Sequence, residues 1–253
     1  MVMEQHLRKY KVFPNAPIVE AILDIRVELP KDVTLETLAT LHDYIKTRYP
    51  EKQHQTEFSA GIRFDQQGAS LEKPEASQTG YLFRSPAEKK VVQARLNGFS
   101  FNKLKPYNNW DAFCTEGREL WDIYWKIANP LRVTRIALRY INRVEIPLPL
   151  SDFKEYILTV PEVAPELPQA LAHFFMRLVI PKPDIGAVAN INQTMGITGE
   201  GQKLPFIFDI DVVKETDYLG NEEDMWREFE NLRIFKNEIF FKSITAKAEG
   251  LFK

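Results

Sequence analysis

Along "PIVEAILDIRVEL" (17–29) the side chains alternate. Val19, Ala21, Leu23, Ile25, Val27 and Leu29 fall on one parity, and Glu20, Asp24, Arg26 and Glu28 on the other. Successive side chains of a strand leave opposite faces, so the pattern predicts a strand with one buried face. "RIALRYINRVEIP" (135–147), within a strand expected over 132–146, behaves alike. Ile136, Leu138, Tyr140, Val144 and Ile146 oppose Arg135, Arg139, Arg143 and Glu145. Runs at 57–65, 80–85, 173–180, 186–196 and 203–213 also read as strands. Residues 90–104 read as a hairpin turning at Asn97-Gly98, or as one long strand bulged there. "ITGEGQK" (197–203) reads as a glycine-rich turn.

Helical spacing predicts four helices. The first covers 34–49, with Leu35, Leu38, Leu41, His42 and Ile45 on one face, Thr34 or Asp32 as cap and Pro50 as stop. The second covers 109–128 and turns Trp110, Phe113, Cys114, Gly117, Leu120, Trp121 and Tyr124 inward. A short one covers 151–159, capped by Ser151. The last runs from about 222 to 241 with Met225, Phe229, Leu232, Phe235 and Ile239 in phase. Strands apolar on a single face, together with amphipathic helices, define an α+β class: a largely antiparallel sheet with helices on one face.

The order strand, helix, strands, long helix occurs twice. "IRVELP" ends at Pro30 and "NRVEIP" at Pro147, which sets Arg26 and Arg143 117 positions apart. Trp110 and Trp226 are 116 apart. These offsets predict two pseudo-repeated halves, about 13–130 and 131–253, within a single domain covering 1–253. The proline-rich stretch 161–168 reads as a rigid loop, and no domain linker is evident.

Composition changes the picture little. A net charge of -2 argues against a generally basic nucleic-acid coat or membrane-surface protein. The single cysteine, Cys114, cannot form an internal disulfide and fits a reducing compartment. "MVMEQHLRKYKVFP" has no apolar run after its charges, so no secretory signal is expected. No stretch is long and apolar enough for a membrane span, and a cytoplasmic location is the expectation.

The choice of cation is more informative. Of 14 arginines, eight lie within the expected strands, past their first residues: Arg26, Arg63, Arg84, Arg95, Arg135, Arg139, Arg143 and Arg177. Lysines concentrate in loops and helices. Guanidinium suits planar, multidentate contact with a carboxylate or phosphate in a partly dry setting. The same strands supply Glu20, Asp24, Glu28, Asp65, Glu145, Asp209 and Asp211. One reading is a cross-strand ladder of ion pairs. The other is a face for an anionic ligand, with Arg26, Arg135, Arg139, Arg143 and Arg177 as its cations and Asn190 and Asn192 as polar readers. Asp209 and Asp211 form a weaker alternative as a metal pair.

Other motifs add nothing. His6, His42, His54 and His173 lack metal spacing with one another or with Cys114, which reads as a buried small hydrophobe. "GEGQK" (199–203) lacks the Walker spacing. The 30 aromatic residues show no RNA-recognition pattern. No cofactor is expected.

Taken together, "PNAPIVEAILDI", "GFSFNKLKPYNNW", "RIALRYINRVEIP" and "LRIFKNEIFFKSIT" resemble a sporadically distributed bacterial family of about this length. The resemblance covers Phe13 to Phe252 and implies no catalytic residues. A patchy distribution is typical of accessory genes, including defence and toxin–antitoxin modules. The first functional expectation is therefore a non-enzymatic binding protein whose arginine face takes nucleic acid or an acidic protein segment. The second is a metal-dependent phosphohydrolase acting on a nucleotide or triphosphate in a charged tunnel. It is similar in residue chemistry to the triphosphate tunnel enzymes, although their Glu-x-Glu-x-Lys signature is absent. The third is a scaffold that holds a second copy or another protein through its C-terminal helix.

Overall fold

The two alternating strands lie side by side at the centre of the sheet. β1 (Ile18–Glu28) runs antiparallel to β8 (Arg132–Pro147), with Leu23 opposite Leu138 and Ile25 opposite Ile136. The computed structural model describes residues 10–59, 62–65, 68–71, 75–169, 171–196, 203–219 and 222–253. On one side of the central pair follow β7 (Gly98–Leu104), β6 (Lys90–Arg95), β5 (Glu75–Ser85) and the edge strand β2 (Glu51–Ser59). On the other follow β11 (Lys203–Tyr218), β10 (Ala187–Met195) and the edge strand β9 (Phe175–Lys182). Every pairing in this nine-stranded sheet is antiparallel. β3 (Ile62–Asp65) and β4 (Gly68–Leu71) form a separate two-stranded sheet. Arg63 and Asp65, expected on the main sheet, therefore belong to that hairpin instead.

The long helices α3 (Trp110–Ala128) and α4 (Glu222–Ser243) cover the apolar parity. Phe99 meets Trp121 at 5.8 Å between ring centres, Phe101 meets Phe113 at 5.1 Å, and Phe208 meets Phe240 at 6.1 Å. Gly117 lets α3 approach: a Cβ there would lie 3.3 Å from the side chains of Leu23 and Phe101. One hydrophobic cluster runs through both halves. Asn109 caps α3 by accepting from the Ala112 N–H. Among the described residues no helix is long and apolar enough to cross a membrane.

Three expectations need correction. The helix expected over 34–49 is two short helices, α1 (Leu35–Ala39) and α2 (Leu41–Ile45). Thr34 caps the first as expected, but the Thr40 hydroxyl donates to the Thr37 carbonyl oxygen at 2.7 Å and competes with the helical ladder. The helix expected over 151–159 is one 3-10 turn, Phe153–Glu155, capped by Asp152 and not by Ser151; Ile157 then bridges to Ile244. β2 starts at Glu51, well before the expected 57, because an edge strand exposed along its first residues shows no apolar period. A last short helix, α5 (Ala246–Gly250), was not anticipated. The turn at 197–202 and His6 lie outside the described residues. Asn97-Gly98 does close a hairpin, and Gly98 sits at φ 154° where a Cβ would meet the Ile25 carbonyl oxygen at 2.3 Å.

Candidate functional site

The parity of β1, β8 and β11 places most of their charged residues on the sheet face opposite α3 and α4; Lys214 of β11 instead turns to the helix side and pairs with Glu228 of α4. Arg26 and Arg135 are directly opposed across β1 and β8. Like charges so placed repel. Asp24 resolves the conflict. It lies 3.3 Å from Arg26, 3.4 Å from Arg135 and 2.5 Å from Arg95, which arrives from β6. Its own cross-strand neighbours are small, Ser100 on β7 and Ala137 on β8, so three guanidiniums have room to converge on one carboxylate. Arg95 is the most buried of the three, at 5% exposure.

A second cluster occupies β8, β11 and β10. Arg139 donates two hydrogen bonds of 2.8 Å to Asp209, which also accepts from the Asn192 amide at 3.1 Å. Asp211 lies beside them, and burial raises its carboxyl above the ordinary range although Arg135 and Arg139 oppose the shift. Farther out, Arg143 bonds Glu145 of its own strand at 2.6 Å, and Arg177 donates to the Asn190 side-chain oxygen at 3.2 Å. Glu20 accepts from Asn102 at 2.7 Å. The seven candidate residues thus share one face. They divide into a centre around Asp24 and Asp209 and a rim that holds Arg143, Arg177 and Asn190.

The remaining sequence candidates fall elsewhere. The sheet ends at β2 and β9, and no pairing among the described strands joins those edges into a tunnel. No group of three or more His, Cys, Asp or Glu side chains among the described residues is arranged to hold a metal ion. His42 hydrogen-bonds the Tyr49 carbonyl and stacks on Phe83, and His173 meets Thr194. Cys114 is half-buried and its thiol is pushed up to about 11, chiefly by burial. On α4, the long C-terminal helix of the scaffold expectation, the in-phase residues Leu232 and Phe235 are buried in the chain's own core.

Two features escaped the sequence. The first is Arg95, readable as a strand arginine but not as the third ligand of Asp24. The second is a cleft on the helix side of the sheet, lined by the start of β1, the segment before α3, and α4. Lys236 stands in it at 8% exposure, its ammonium 3.7 Å from the centre of the Tyr140 ring and 2.5 Å from the Asn237 side-chain oxygen. Burial, with repulsion from Arg233, lowers its pKa to about 7. The available signal was a lysine in the apolar stripe Phe229, Leu232, Phe240.

Compared with protein-family models, with curated proteins and with solved structures, the chain finds no match in any of the three.

Proposed function

We propose that this is a non-enzymatic binding protein whose arginine face takes an acidic protein segment. The observation that carries the reading is the sharing of Asp24 by Arg26, Arg95 and Arg135. A carboxylate offers about four lone-pair sites, whereas each guanidinium carries five N–H donors. Three guanidiniums on Asp24 therefore leave donors to spare, and Arg26 and Arg135 are partly exposed. An incoming carboxylate would use them.

The polyanion class follows from what else lies on the face. Glu20, Asp209, Asp211 and Glu145 are interspersed with the arginines. A nucleic acid would lay closely spaced phosphates over these acids, about one charge per 1.7 Å of duplex. An acidic polypeptide spaces its charges more widely and can match an alternating surface. The metal-dependent phosphohydrolase is the weaker reading, because both oxygens of Asp209 are already engaged by Arg139.

The duplication belongs to the same proposal. Outward from the central pair, the order β1-β7-β6-β5 mirrors β8-β11-β10-β9. Arg26 lies opposite Gly98 of β7, and Arg143 lies opposite Ile207 of β11. This order supports two related halves meeting at β1 and β8.

Fluorescence anisotropy with a labelled peptide alternating Glu with Val, beside a labelled single-stranded oligonucleotide, tests the reading. At low salt the peptide should bind, and Arg26→Ala with Arg135→Ala should weaken it by roughly tenfold or more. Tighter binding of the oligonucleotide, or an unchanged affinity in the double variant, would replace the proposal.

A further inference from the structure

We propose that the cleft on the helix side is a binding site for a small aromatic carboxylate, with the carboxylate on Lys236 and the ring held between aromatic walls. This site lies on the other side of the sheet from the arginine face and does not depend on the peptide reading.

The wall chemistry is the first argument. Trp110, Tyr107, Tyr140, Phe13, Phe240 and Phe241 line the cleft, and such rings favour stacked or edge contact with another ring. Charge is the second. Lys11, Arg233 and Lys236 line the same space, and among the described residues no aspartate or glutamate does. Lys11 is paired with Glu249 and Arg233 with Glu230, both outside the lining. Lys236, by contrast, has a neutral hydrogen-bond partner, Asn237, and a ring face. Buried ammonium groups ordinarily have an anion beside them, since an unpaired charge in an apolar setting is costly. An entering carboxylate supplies that anion. Size is the third argument. The cavity volume is ≈ 130 Å³, and an apolar cavity of about 150 Å³ holds benzene. One ring with a short acid arm fits; a nucleotide does not.

A buried lysine with depressed basicity also suits imine formation with a carbonyl compound. That chemistry needs a group to move protons around the attacked carbon. The hydroxyls of Tyr107 and Tyr140, which line the cleft with Lys236, are bonded to each other at 2.7 Å, and burial raises both above the ordinary tyrosine range. With no carboxyl group among the described residues of the lining, the geometry favours pairing over condensation.

Isothermal titration calorimetry of the whole chain with benzoate and phenylacetate, against benzamide and phenylacetamide, decides the matter. The acids should bind at least about tenfold more tightly than the amides. Lys236→Met should erase that preference while the thermal midpoint does not fall. The wild-type protein gives a second readout that needs no variant. Pairing raises the basicity of Lys236, so binding near neutral pH should take up protons, seen as heats that vary with buffer, and acid affinity should decline as pH rises above about 7. Around Lys236 the other titratable or charged groups among the described residues are Arg233 on its own helix with its partner Glu230, Tyr140 on β8, Tyr107 before α3, and Tyr10 and Lys11 of the N-terminal segment, Lys11 being paired with Glu249 of α5. Burial raises the Tyr107 and Tyr140 hydroxyls above the ordinary tyrosine range, and despite burial Glu230 raises Arg233, so none of these three changes charge between pH 6 and 9. Equal binding of acids and amides, no binding at millimolar concentration, or a pH-independent affinity would overturn the proposal. So would a borohydride-trapped benzaldehyde adduct on Lys236 that benzoate fails to suppress.

Discussion

Arg139 lies directly opposite Asp211 across β8 and β11, yet its guanidinium is bonded to Asp209. The diagonal choice gives Asp209 two of the guanidinium's nitrogens, Nε and Nη2, and leaves Asp211 partly buried without an equivalent bond. Asp209→Ala should therefore cost about 2–3 kcal/mol, because it strips a half-buried guanidinium of its carboxylate. Chemical denaturation of the two proteins measures it.

Asp211→Asn should do the opposite. The folded protein holds the Asp211 proton more tightly than the unfolded chain, whose value is near 3.8. Ionised Asp211 thus lowers stability in full above its raised folded pKa, and the cost fades as pH falls toward 3.8. The variant should be more stable than the wild type at neutral pH and equal to it in acid. Denaturation midpoints across pH 3 to 7 supply the comparison.

At the other cluster, the cost of substitution should track burial. Asp24→Ala leaves Arg95 buried and three guanidiniums in mutual repulsion, a loss of about 3–5 kcal/mol. Arg26→Ala removes one partly exposed partner and should cost about 1 kcal/mol or less. Equal losses in urea would mean that Asp24 is not the hub the geometry describes.

Lys236→Met should stabilise the protein in the absence of ligand. The folded ammonium titrates at about 7 against 10.5 for a free lysine, so the unfolded chain binds more protons between these values and stability rises with pH. The charge costs most below pH 7 and nothing above 10.5. A gain of about 1–4 kcal/mol at pH 6 that vanishes at high pH is expected. Thermal unfolding across that range reads it directly.

Cys114 should react slowly. With its thiol pushed up to about 11, little thiolate exists at pH 8, and iodoacetamide should label the folded protein far more slowly than the unfolded chain. Comparable rates in the two states would show that burial does not control this thiol.

The legible parts of the chain were those in which one face is buried and the other wet. β1 and β8 show such alternation, and their parity separated Asp24, Arg135 and Arg139 from Leu23 and Leu138 correctly. Glu51 to His54 of β2 are exposed along an edge, so no period marks them. The convergence on Asp24 depends on which strands are neighbours. Arg95 is 71 residues from Asp24 in sequence and two strands away in the sheet. The cleft has the same character, since Tyr107, Tyr140 and Lys236 come from three separate segments. Only the lysine in an apolar stripe was visible locally.

The position of β1 also has a consequence for the growing chain. Its first neighbour, β7, is complete at Leu104, and its second, β8, begins only at Arg132. In between, α3 is made while one long edge of β1 still lacks a partner, and an unpaired edge invites association with other chains. Pairings so distant in sequence are slow to form. Of the three arginines that meet at Asp24, Arg135 is the last to be synthesised, so translation itself sets the earliest moment at which that cluster can exist.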